Sequence, residues 1–87
     1  MKEQELDKFL NKCVEITEYD GTTQKGYLYK IENGRTKTNG IVELHAINKG
    51  YFLVKIFDSG IYGIDYRKSH IKNIKELQGV NNEEENK

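Results

Sequence analysis

The chain has 87 residues, 36% hydrophobic and 32% charged, with 14 basic and 14 acidic side chains. Such a length sets a single domain whose core is near the lower limit of self-sufficiency, and the balanced charge excludes a strong overall field toward nucleic acid or anionic lipid. One cysteine, Cys13, excludes an internal disulfide, and no apolar run reaches the length of a signal peptide or membrane span, so a cytoplasmic location with no membrane partner is expected.

In chain order, Leu6, Phe9 and Leu10 form one apolar stripe on an otherwise charged segment, which predicts a short amphipathic helix over residues 3 to 11. Val14 and Ile16 alternate with Glu15 and Thr17, the period of a half-buried strand spanning Cys13 to Glu18. Asp20-Gly21 turns the chain into a second strand, Gln24 to Glu32. Leu28 and Ile31 are three apart, so that strand is expected to bend near Tyr29 and Lys30, with Tyr27 and Tyr29 on its other face.

The polar stretch 33–40, NGRTKTNG, reads as a loop. A third strand is expected at Ile41 to Ile47, with Val42, Leu44 and Ala46 on one face and Glu43 and His45 on the other. Tyr51 to Phe57, with Phe52, Val54 and Ile56 on one side, and Ile61 to Tyr66 form a hairpin across Asp58-Ser59-Gly60. Ser69 to Leu77 suits a twisted strand or a helical turn, and the strand reading is preferred as far as Lys75. Residues 79–87, with Glu83, Glu84 and Glu85, read as a disordered acidic tail on a domain of residues 1–78. Without that tail the body is slightly basic, 13 against 11.

Val14, Ile16, Gly21, Gly26, Leu28, Ile31 and Glu32 follow a pattern that resembles the first motif of the Sm/LSm-like family. Tyr66-Arg67-Lys68-Ser69-His70-Ile71-Lys72-Asn73-Ile74 resembles the second, with Lys68 where that motif has glycine; Glu18 likewise departs from the first motif, and six strands are counted where the family has five. The resemblance implies a mainly β fold, a small, strongly bent antiparallel barrel (Sm-like, SH3-like) of five to six strands with a short N-terminal helix. It further implies subunits that pair their strand edges into rings and bind single-stranded RNA. Arg67 matches the base-holding arginine of the second motif, and Asn39 or Asn33 is the counterpart of the family's loop asparagine.

The residues themselves offer Arg67 and Lys68 as the densest basic run, with Tyr62 and Tyr66 beside it, and Arg35 and Lys37 in the loop. Cations that hold phosphates next to rings that stack bases suit single-stranded nucleic acid. A solvated strand with core tyrosines has the same composition. His45 and His70 lack ligand-spaced partners and the two serines, Ser59 and Ser69, lack an evident base, so no metal, cofactor or enzymatic role is expected. The expectation is a non-enzymatic, self-associating protein that binds single-stranded RNA or a nucleotide. The alternative is a phage or mobile-element accessory protein that contacts a host protein or sequesters a nucleotide signal.

Overall fold

Apolar–polar alternation dominates the chain, and in the computed structural model, which describes residues 1–57 and 60–77, it yields seven strands. After helix α1 (Glu3–Asp7) come β1 (Cys13–Glu18), β2 (Thr23–Ile31), β3 (Arg35–Thr38), β4 (Ile41–Leu44), β5 (Gly50–Phe57), β6 (Gly60–Tyr66), a 3-10 turn (Lys68–His70) and β7 (Ile71–Glu76). Five strands form one antiparallel sheet in the order β6-β5-β2-β1-β7, and β3 and β4 form a separate two-stranded ribbon. The last strand therefore lies beside the first. No described helix is long and apolar enough to cross a membrane. The Asp58-Ser59 turn and the tail from residue 79 lie outside the described residues.

One face of the sheet carries the core. Val14 and Ile16 from β1, Leu28 from β2, Tyr51 and Leu53 from β5, Tyr66 from β6, and Ile71 and Ile74 from β7 cluster with Leu6 of α1. Burying an aliphatic side chain of this kind contributes roughly 1.5–3 kcal/mol, so these residues decide which face is inside. The helix is shorter than the expected span. Its hydrogen bonding loosens into turns after Asp7, and Asn11, at φ 64°, donates its N–H to the Leu28 carbonyl at 2.7 Å instead of continuing the helix. Phe9 and Leu10 still pack on the core.

Two faces are opposite to what their side chains suggest. On β5 the core takes Tyr51 and Leu53, while Phe52 lies on the other face with its ring edge-on to His45, centroids 4.6 Å apart. On β4 the Val42 and Leu44 face is exposed, and His45, at the end of that strand, points back toward the sheet. The ribbon covers part of the sheet's outer surface, which is why Phe52 is apolar there.

The expected loop 33–40 is a correction: it contains β3. Asn33-Gly34 and Asn39-Gly40 all have positive φ (54°, 73°, 52° and 82°), so each pair makes a two-residue hairpin turn of the kind asparagine and glycine adopt without steric cost. Glu32 and Arg35 exchange backbone hydrogen bonds of 3.0 Å across the first turn, and Thr38 pairs with Ile41 across the second. The third strand ends at Leu44 and pairs with β3 rather than with the main sheet.

The bend expected near Tyr29 leaves the register unbroken, from Tyr27 opposite Val54 to Ile31 opposite Gly50. Leu28 and Ile31 are both buried, and a register shift falls between Thr17 and Glu18, where β1 meets β7. Gly26 is required by close approach: a Cβ there would lie 2.4 Å from the Val54 carbonyl oxygen.

Candidate nucleic-acid interface

Where β2 ends and β5 begins, Ile31 and Gly50 lie opposite one another, and the chain leaving β6 passes beside them. The 3-10 turn that follows brings Arg67, Lys68 and Ser69 to the same place, producing a cleft of ≈ 300 Å³ with Lys30, Lys49, Tyr51 and Glu3 on its remaining walls. The Met1 ammonium fixes that turn by donating to the carbonyls of Lys68 (3.0 Å) and Ile71 (3.3 Å). Four cations from three separate segments thus meet at one opening.

They are not equivalent. Lys30 Nζ lies 2.7 Å from Glu3 and 2.9 Å from Asp7, and Tyr51 donates its hydroxyl to Asp7 at 2.7 Å. Hydrogen bonding to Glu3 and then Asp7 pushes the Lys30 ammonium above its usual range, and the Lys30 contact holds the Glu3 carboxyl below its own. Burial opposes ionisation of Asp7, yet the hydrogen bonds from Tyr51 and Lys30 prevail and keep its carboxyl low; burial, reinforced by Asp7, raises the Tyr51 hydroxyl. This cluster anchors α1 to the sheet. Arg67, Lys68 and Lys49 have no ion-pair contact within 4 Å among the described residues, although the Lys49 charge helps to lower the Glu3 carboxyl, so Arg67 and Lys68 are the cations most available to an incoming anion.

The other sequence candidates lie elsewhere. Arg35, Lys37 and Asn39 are on the ribbon and do not line the cleft. Asn39, like Asn33, is accounted for by its turn conformation. Tyr66 is 4% exposed, with its ring in the core and its hydroxyl donating to Glu18 at 2.5 Å, so it presents no face on which a base can stack. Of the two tyrosines only Tyr62, on β6, shows its ring to solvent. Lys30 and Lys49 carry no sequence signal of their own. Lys30 stands between Tyr29 and Ile31 and Lys49 between Asn48 and Gly50, and only the pairing of β2 with β5 joins them to Arg67.

A second groove, of ≈ 420 Å³, opens between the β1–β2 turn and β6, lined by Glu18, Tyr19, Asp20, Ile64, Asp65, Tyr66 and His70. The Asp20 carboxyl accepts the Thr22 N–H at 2.9 Å, a bond that keeps it below the usual carboxylate range. At the rim, His45 Nδ1 lies 2.9 Å from Asp65 Oδ1 and His45 Nε2 lies 2.6 Å from Thr36 Oγ1. A hydroxyl, an imidazole and a carboxylate in line are the parts of an activated nucleophile, but Thr36 is 3% exposed and shielded from any substrate. The line ties the ribbon to β6. No protein family, curated protein or solved structure matches the chain.

Proposed function

We propose that the chain is a non-enzymatic, Sm-like small barrel protein that binds single-stranded RNA or a nucleotide by its phosphates, at the cleft of Arg67, Lys68 and Lys49. The observation that carries this reading is the convergence of Arg67, Lys68 and Lys49, none with an ion-pair contact within 4 Å among the described residues, on one opening. An anion there gains charge-assisted hydrogen bonds from a guanidinium, which binds phosphate in two-pronged fashion, and from two ammonium groups. Tyr62, which is exposed, offers a ring further along β6.

Support for the barrel comes from the strand order, in which the first strand sits between the second and the last, and from the main apolar cluster gathered on one face. The outer margins of β6 and β7 are the edges through which copies would pair, as the family resemblance implies. Several weak sites in one particle would then bind a single strand with avidity.

The test is fluorescence anisotropy with labelled uridine-rich RNA and with a labelled mononucleotide. Replacing Arg67 and Lys68 together by alanine is expected to weaken binding at least about tenfold and to flatten its salt dependence, by about 0.7 in log–log slope for each phosphate that the variant no longer neutralises. Unchanged affinity in the double variant contradicts the site. A second reading, a protein-contact module, is favoured by the solvent-facing Val42 and Leu44 on the ribbon. Its signature is binding that is indifferent to salt and absent for RNA.

A further inference from the structure

The ribbon presents a composite surface that the other described residues leave uncovered. Arg35 is directly opposite Leu44 and Lys37 opposite Val42, so these four side chains share one face. All four are exposed, Val42 at 55% and Leu44 at 77%. The opposite face is held down through Thr36, His45 and Asp65, so the ribbon cannot roll over to bury its aliphatic residues without breaking that line. A two-stranded ribbon is marginal in water on its own, and one that shows paired aliphatic and cationic side chains outward matches a surface that is both apolar and acidic.

The chain carries such a surface. In the second groove, Tyr19, 65% exposed, and Ile64 lie among Glu18, Asp20 and Asp65. Glu18 accepts from Tyr66, Asp20 from Thr22 and Asp65 meets His45, and a carboxylate has about four acceptor positions, so each keeps room for a further donor. We propose that the β3–β4 ribbon of one copy docks in the Tyr19–Asp65 groove of a second copy, with Val42 and Leu44 against Tyr19 and Ile64 and with Arg35 and Lys37 facing the three carboxylates. His45 joins ribbon and groove rim within each copy, so a twofold axis beside it sets each ribbon over the other copy's groove. The contact is then reciprocal and closed, and both copies contribute both halves. It uses side chains of β6 as one groove wall but neither strand pairing nor the Arg67 cleft, and stands or falls apart from RNA binding.

Sedimentation velocity across a concentration series reads this directly. The full chain is expected to associate to twice its 10.1 kDa mass or an even multiple of it. Leu44→Lys and Lys37→Glu are each expected to weaken association at least about tenfold, as for residues central to an interface, while circular dichroism and melting temperature stay unchanged at these exposed positions. Asp20→Lys is expected to weaken it as well, and the Asp20→Lys, Lys37→Glu double variant to recover it, an outcome that a merely sticky ribbon does not produce. A monomeric wild type, including one whose ribbon binds a different protein, overturns the proposal. So does association that survives Leu44→Lys, which assigns the contact to the strand edges.

Discussion

The imidazole of His45 stands 2.9 Å from the Asp65 carboxylate, a contact that helps to orient the β3–β4 ribbon on the five-stranded sheet. His45 also meets Thr36 at 2.6 Å and lays its ring against Phe52, so three separate segments converge on a side chain that is 4% exposed. The consequence is a ribbon whose Thr36 and His45 are satisfied inward and whose Val42 and Leu44 are turned out.

Replacing His45 by alanine should therefore loosen the ribbon before the sheet. Removing those hydrogen bonds, and leaving the buried Thr36 hydroxyl without its partner, is expected to cost about 1–3 kcal/mol. Amide hydrogen exchange is the check: protection should fall across residues 35–44 while β1, β2 and β7 retain theirs. A uniform fall across all strands contradicts a local tether.

Tyr51→Phe removes the hydroxyl that donates to Asp7 and is expected to destabilise the chain by about 1–2 kcal/mol in urea denaturation, a hydrogen bond to a charged group being stronger than the average. The same cluster makes stability fall in acid. Hydrogen bonds from Tyr51 and Lys30 hold the Asp7 carboxyl low in the folded chain against the opposing effect of burial, so the unfolded chain takes up the proton first. That stabilisation is complete above the ordinary carboxylate range, about pH 4, and is lost as pH falls through the lower folded value. In Asp7→Asn the acid limb of the stability profile should flatten; an unaltered limb rules out this source.

Gly26→Ala places a methyl group against the Val54 carbonyl, backbone that is fixed by the pairing of β2 with β5. Overpacking of that kind costs typically about 1–3 kcal/mol. Gly21 has open space around its Cα but a φ of 90°, so alanine there is strained by conformation alone. A denaturation series on the two variants should show the Gly26 change as the larger, because the strands must separate to admit it. The reverse order contradicts the close-approach account.

The strands of the main sheet were legible because their alternation is local: β1 matches its expected bounds, and β2, β5, β6 and β7 differ by a residue or two. The ribbon was not. Arg35–Thr38 has no hydrophobic residue to report a strand, and its signal lay in the turns, in two Asn-Gly pairs set six residues apart. The inside face of β4 and of β5 was also hidden, since Val42 and Leu44 look more buried than Thr36 and His45 in any residue-by-residue reading. A long-range hydrogen-bonded line reversed the order. At the cleft, Arg67 and Lys68 were evident as a basic run, whereas Lys30 and Lys49 join them only through strand pairing, and Tyr66 faced inward because its hydroxyl found Glu18.

The most direct test of the phosphate-binding reading is a ¹⁵N-¹H chemical-shift titration of the full chain with a short oligouridylate. Shifts are predicted to concentrate on the amides of Ile31, Lys49, Gly50 and residues 67–69, with those of the Tyr19–Asp65 groove left in place. No shift at saturating oligonucleotide, or shifts confined to the ribbon, contradicts it.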